Sequence, residues 1–251
     1  MLLHPTLETL QRLRLTGMYE ALHEQLQQPD SAHLGFEERL GLLLEREAST
    51  RDSRRLRSRL KQARLRDQAT LEDLDWRHHR GLDRSLMRHL ASGQWLREHL
   101  NVLITGPTGI GKTWLGCALA QQACRLGFSA RYLRLPRLLP DLTLARADGR
   151  FPKLLAELAK TDLLVLDDWG LAPTTDAQRR DLLELLDDRY QSRSTLVTSQ
   201  LPLAHWHEAL GDPTLADAIL DRLVHRAYKL ELQGESLRKP DAPLTALPPS
   251  D

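Results

Sequence analysis

The segment that most restricts how this chain can fold is Gly106-Pro107-Thr108-Gly109-Ile110-Gly111-Lys112-Thr113. It fits the pattern G-x-x-x-x-G-K-[ST], which has chemical meaning only between a strand and a helix. The sequence supplies both. Leu100 to Thr105 reads as a short buried strand, and Lys112 to about Leu126 as a helix closed by Gly127. Glycines let the backbone wrap a phosphate chain with its N–H groups pointing inward, at a helix N-terminus that favours anions. Lys112 can then neutralise the β and γ phosphates, and the Thr113 hydroxyl can ligate Mg²⁺. A glycine-rich turn with a purely structural role is the alternative reading. The flanking strand and helix weigh against it.

Strands continue to alternate with helices downstream. Phe128 to Leu135 reads as a strand, Leu138 to Ala159 as helix interrupted near Asp148-Gly149-Arg150, and Leu163 to Leu166 as a fully buried strand. Thr175 to Tyr190 is helical, Thr195 to Thr198 a strand, Asp212-Pro213 the start of a helix through Leu223, and Tyr228 to Leu232 a last strand. This order predicts an α/β fold, a parallel sheet covered by helices on both faces. The tail from Lys239 carries Pro240, Pro243, Pro248 and Pro249 and reads as disordered.

Hydrolysis needs acids opposite the phosphate loop. Asp167-Asp168 follows the strand Leu163 to Leu166 directly, at the end of the strand where sheet ligands bind. Two acids after an apolar run are a weak signal alone, but a strong one when they follow a phosphate loop. Asp167 suits the magnesium, and Asp168 the orientation and deprotonation of an attacking water. The strand Thr195 to Thr198 ends in Ser199-Gln200-Leu201-Pro202. Gln200 is the candidate to touch the γ-phosphate or the water, with Ser199 behind it. A turn residue bonding to its own backbone is the plainer alternative.

The first hundred residues are helical in pattern. One apolar stripe runs from Leu7 to Leu26 and ends at Pro29-Asp30, a second covers Phe36 to Ala48, and a third, narrower one is Leu56, Leu60 and Ala63. Net charge is only +1, so the balance of charges says nothing about partners, but their distribution does. Arg51, Arg54, Arg55, Arg57, Arg59, Lys61, Arg64 and Arg66 face a single acid, Asp52. On a helical wheel Arg55, Arg59 and Arg66 flank the Leu56-Leu60-Ala63 seam on one side and Arg57, Lys61 and Arg64 on the other, presenting arginines to phosphates. A solvated helix face is the alternative. The domains expected are a helical one over 1–75, a connector over 76–99, an ATPase core over 100–238 and the tail over 239–251.

The remaining features carry less. Cys117 and Cys124 lie two turns apart on one helix, about 10 Å, too far for a disulfide. Adjacent His78 and His79 without a cysteine or acid cluster make a poor metal site, and Trp76 and Trp95 read as packing anchors. No apolar run approaches membrane-spanning length and no signal peptide is legible, so the expectation is a cytoplasmic protein with no membrane partner.

Taken together, Gly106 to Thr113, Leu163 to Gly170, Thr198 to Pro202, Gly211 to Leu223 and Gly234-Glu235-Ser236-Leu237-Arg238-Lys239 resemble the IstB helpers of insertion-sequence transposition. The DnaC-type helicase loaders, also AAA+ ATPases, are the near relatives. The helical beginning with its basic run looks like the same family, so the resemblance covers nearly the whole chain. It implies ATP and Mg²⁺ at Lys112 and Thr113, a hydrolytic pair Asp167 and Asp168, and Gln200 at the first sensor. It further implies an arginine finger at Arg222 serving the neighbouring subunit, and Arg238 as a second sensor. The partners implied are duplex DNA bound with little sequence preference, a transposase, and further copies of the chain assembled on DNA with ATP.

From the sequence, Arg222 can act within its own subunit, across an interface, or merely in a salt bridge. Asp168 stands where most AAA+ members have Glu, one methylene shorter. Fewer than twenty residues follow Leu232, too few for a full helical lid. A helicase loader is the closest rival, with a protein-binding N-terminal domain and a ring helicase as partner. A small-molecule kinase needs no arginine run, and a nucleotide-gated module with negligible turnover is the remaining possibility.

Overall fold

The computed structural model describes residues 3–28, 33–78 and 80–237. Two compact units divide at Lys61. In the first, α1 (Leu3–Arg12) and α2 (Thr16–Gln27) are separate helices, where the apolar stripe predicts one. Arg14 takes a left-handed φ of 57° between them, which an α-helix cannot continue through. α3 (Phe36–Ala63) is one continuous helix where two stripes are legible. Gly17 allows α2 to lie against α3, since a Cβ there would meet the Glu47 Cα at 2.7 Å. Glu47, buried, accepts from the Gly17 and Met18 amides at 2.7 and 3.2 Å and so caps the exposed donors of α2. Those hydrogen bonds, with the one from Arg51, hold its carboxyl below the usual carboxylate range despite burial. The helix stop expected at Pro29-Asp30 lies outside the described residues.

The second unit begins at Gln62, earlier than the boundary at 75. Residues 62–99 bury Ala63, Ala69, Leu74, Met87, Leu90, Trp95 and Leu96, and the short helices α4 (Arg84–Ala91) and α5 (Gln94–Arg97) belong to this unit. The expected connector is thus part of the core. Trp95 anchors it, donating from Nε1 to the Leu90 carbonyl, whereas Trp76 lies at the surface under Arg84.

β1 (Asn101–Thr105) leads through the glycine loop into α6 (Lys112–Arg125), where Cys117 and Cys124 are both buried and unbonded to each other. β2 (Ala130–Arg134), α7 (Leu135–Ala147) and α8 (Phe151–Lys160) follow, the last two parted at 148–150 as the Asp-Gly-Arg break predicts. β3 (Leu163–Trp169), α9 (Asp176–Arg189), β4 (Ser194–Ser199), α10 (Trp206–Leu210), α11 (Pro213–Val224) and β5 (Ala227–Glu231) complete the unit. The five strands are parallel, in the order β2-β3-β4-β1-β5. β4 therefore separates the strand of the glycine loop from the strand of the two acids. Leu103, Leu164, Leu166 and Val197 pack with α7, α8, α9 and α11 into one core. The parallel register makes every strand end on one edge of the sheet, where the loops gather the polar side chains.

At the opposite edge, Asn101 ties three elements together. Its Oδ1 accepts from the Thr195 amide at 2.8 Å, and its Nδ2 donates to the Arg222 and Leu223 carbonyls. Arg189, 1% exposed, donates to the carbonyls of Leu158, Thr161 and Ser194, and its burial pulls the guanidinium pKa down to about 9. No described helix is long and apolar enough to cross a membrane.

Candidate nucleotide site

Gly106, Gly109 and Gly111 all take positive φ, and the first is pressed against the Leu232 carbonyl, where a Cβ has no room. The segment after β5 thus covers the loop from outside: Leu232 N donates to Thr105 O at 2.7 Å and Leu237 N to Gly109 O at 3.0 Å. Residues 234–237, the start of the Gly234 to Lys239 segment, contribute this cover. Arg238 and the tail lie outside the described residues.

The loop borders a cavity of about 530 Å³ whose walls include Thr108, Gly109, Gly111, Lys112, Thr113, Asp168 and Gln200. That volume suits a small-molecule ligand. Pro107 and Ile110 shape the loop; Ile110 is buried beneath it. Lys112 Nζ donates to the Gly106 and Pro107 carbonyls at 2.7 and 2.8 Å, which holds the ammonium inside the loop's curve.

Asp167 is fully buried and collects three hydroxyls. Thr113 Oγ1 donates to its carboxylate at 2.9 Å, Tyr132 Oη at 2.5 Å, and Thr198 Oγ1 also donates to it. These come from α6, β2 and β4, so the aspartate is fixed from three sides. Tyr132 was not legible as a site residue; its place on β2 beside β3, in register Tyr132 to Val165, brings it there. Burial and the adjoining Asp167 carboxylate push the Tyr132 phenol well above its ordinary pKa. A hydroxyl and a carboxylate side by side are hard oxygen donors of the kind Mg²⁺ takes, so Thr113 and Asp167 fit that ion.

Asp168 is turned differently. Strict alternation would send consecutive residues to opposite faces, but the β3–β4 register shifts between Leu166 and Trp169, and Asp168 has a φ of 63°. The bulge re-aims Asp168 into the cavity, where Arg134 Nε holds its Oδ2 at 2.7 Å. Arg134, like Tyr132, carries no signal in the linear sequence.

Gln200 and Ser199 part company. Gln200 Oε1 accepts from Thr108 Oγ1 at 2.7 Å at the mouth of the cavity. Ser199 is buried, donating to the Trp169 carbonyl and accepting from Leu201 N, and so serves the turn.

Arg66 is the member of the basic run that the structure sets apart. α3 ends at Ala63 because Arg64 takes a φ of 50°, so Arg64 and Arg66 leave the helical wheel on which the sequence puts them. Arg66 lines the cavity instead, and its hydrogen bond with Tyr132 raises its pKa further. Of the others, Arg51 pairs with Glu47 at 2.6 Å, Arg54 reaches Thr16 Oγ1, and Arg55 lies 3.6 Å from Asp52. Arg57, Lys61 and Arg64 are exposed, and Arg59 is half-buried.

Arg222 is not at the cavity of its own chain. It sits beside Asn101 at the start of β1, whereas the glycine loop follows its end, about 13 Å of strand away. There it pairs with Asp187 at 2.8 Å and Asp221 at 2.7 Å, which raise its pKa, and lies over the Tyr190 ring. His78 bonds Asp75, His79 lies outside the described residues, and no group of three or more metal-ligating side chains occurs among those described.

A parallel sheet with a glycine loop after β1, an acid from β3 and a polar residue from the strand between them defines a P-loop ATP-binding protein of the AAA+ type. Solved structures agree on the fold. That of the DnaI protein superposes with a TM-score of 0.57 at 21% identity, covering 70% of this chain and 94% of that one. The DnaC helicase loader gives 0.50 at 22% identity, covering 63% and 95%.

The chain belongs to the family of IstB-like ATP binding proteins, which it matches over residues 8–243. It is 54% identical over 239 residues to y4pL of Sinorhizobium fredii, named as an insertion sequence ATP-binding protein, covering 95% of this chain and 98% of that one. With the ATP-binding protein of insertion sequence IS1162 from Pseudomonas fluorescens it shares 56% over 203 residues, covering 80% and 88%.

Proposed function

We propose that this chain is a Mg²⁺-dependent ATPase that assembles on duplex DNA with ATP bound and assists a transposase. The observation that carries the ATPase reading is the convergence of Lys112, Thr113, Asp168 and Gln200 on one cavity, with Asp167 bonded behind Thr113. In this reading the loop amides and Lys112 hold the phosphates, and Thr113 with Asp167 holds the magnesium. When bound, the ion neutralises charge on the β and γ phosphate oxygens. Asp168 accepts a proton from the attacking water through the oxygen that Arg134 leaves open, and Gln200 orients the γ-phosphate or that water.

The placement of Arg222 supports assembly. At the far edge of the sheet Arg222 does not reach its own phosphate loop, and in this reading it serves a neighbour's nucleotide, exchanging Asp187 and Asp221 for phosphate oxygens. Duplex DNA is the partner of the basic run, read by backbone charge and not by base. The transposase enters through the relatives, which are named for insertion sequences. A helicase loader shares the fold, and the family match together with the arginine run favours transposition.

The test is the steady-state ATPase rate with and without duplex DNA. Stimulation by DNA of any sequence supports the proposal. A rate indifferent to DNA, coupled with binding to a ring helicase, overturns it in favour of the loader.

A further inference from the structure

Arg80 lies on the cavity wall and has no role in the reading above. It is 5% exposed. Its Nη2 donates to the Asp75 carbonyl at 2.8 Å, while its Nε has no hydrogen-bond partner. Its Nη1 stands 3.1 Å from where a Cβ would sit on Gly111, the last glycine of the phosphate loop. No carboxylate among the described residues pairs with it. The acids on the cavity wall are not its partners: Asp75 accepts from Arg77 and His78, Asp73 from Thr70 and Asp168 from Arg134, and Asp67 makes no hydrogen bond or ion pair with Arg80.

The backbone that carries this side chain is also held in place. The Arg80 carbonyl accepts from Gln233 N at 3.1 Å, and Gly81 takes a φ of 73° directly against the Glu231 carbonyl. Arg80 and Gly81 are thereby stitched to the end of β5, next to the segment that covers the glycine loop. A buried guanidinium without a counter-ion, with a donor left open and beside a phosphate loop, is costly unless a ligand supplies the anion.

We propose that Arg80 is a second cation of the nucleotide site and donates to a phosphate oxygen of the bound nucleotide. This rests on the nucleotide reading of the glycine loop, and Lys112→Ala serves as its separate control. Arg supplies what Lys112 does not, a planar fork of donors that can bridge oxygens.

The experiment measures thermal shift and direct binding of Mg·ATP and Mg·ADP to the full chain, for wild type and Arg80→Met. Without nucleotide, Arg80→Met should melt at or above the wild-type temperature, because it removes an uncompensated buried charge. With nucleotide, its stabilisation should shrink and Kd rise at least tenfold. Equal losses for ATP and ADP place Arg80 on the α or β phosphate; a loss for ATP alone places it on the γ. If Arg80→Met melts lower without nucleotide yet binds both as wild type does, Arg80 is structural and the proposal fails. Should Arg80→Met not fold, Arg80→Gln answers the same question, and unchanged affinity there overturns it. If wild type and Lys112→Ala both ignore ATP, the nucleotide reading itself has failed, an outcome distinct from either.

Discussion

Arg134, the last residue of β2, holds Asp168, the bulged residue of β3, through a single Nε to Oδ2 contact of 2.7 Å. The pair is half open to solvent on the arginine side, 35% against 16%, so it is a contact that can be exchanged. One carboxylate oxygen of the proposed base is thereby engaged before any substrate arrives.

Releasing that oxygen should raise turnover. A partly exposed ion pair is worth up to about 1 kcal/mol, so Arg134→Met should increase the DNA-independent ATPase rate by a factor of about two to five. A rate far below wild type would mean instead that Arg134 orients the base productively. Asp168→Asn, which cannot accept the proton, should keep ATP bound and nearly stop turnover in either background.

The Tyr132 phenol donates to a buried carboxylate and so retains its proton where an ordinary tyrosine loses it. Its contribution to stability is present below the unfolded pKa of about 10 and is lost as pH rises through the higher folded value. At about pH 11, Tyr132→Phe should therefore leave the tyrosinate absorbance of the folded protein unchanged, although it removes one of four tyrosines. A drop by a quarter would show that Tyr132 ionises ordinarily. In urea unfolding at neutral pH the variant should lose about 1 kcal/mol.

Charge reversal on α3 separates DNA from nucleotide. Replacing Arg55, Arg57, Arg59 and Lys61 by Glu should abolish duplex binding and leave the Kd for ATP unchanged. For wild type, log affinity should fall by about 0.9 per phosphate contacted for each unit of log salt. Arg51 is a poorer target because it supports Glu47, which caps α2. Tight DNA binding by the reversed protein would return this face to solvent.

Arg222→Ala and Asp168→Asn should each be nearly inactive, the first for want of a finger and the second for want of a base. An arginine finger is worth a factor on the order of a thousand. Mixed on DNA, the two proteins should recover ATPase activity, peaking near equal proportions, because some interfaces join a whole site to a whole finger. Co-purification of differently tagged copies confirms mixed assembly. A silent mixture that does assemble rules out the trans finger.

Much of this was readable in the linear sequence because it depends on local chemistry. The glycine loop, the apolar strand before it and the helix after it are consecutive, and the strand and helix order specifies a parallel sheet. Asp212-Pro213 and Thr175 announce their helices, and both cap them in the structure. Asp167-Asp168 could be placed from spacing and residue type.

What the sequence left open depends on pairing between distant strands and on backbone sign. Tyr132 and Arg134 become site residues only because β2 lies beside β3 in one register, with a one-residue shift sending both to the other face. The aim of Asp168 is set by a bulge whose positive φ no residue pattern specifies. Arg64 ends a helix by the same change of sign, and so Arg66 leaves the basic face for the cavity. Arg222 is separated from its own phosphate loop by the full length of β1, a fact of topology that no inspection of Gly211 to Leu223 could yield.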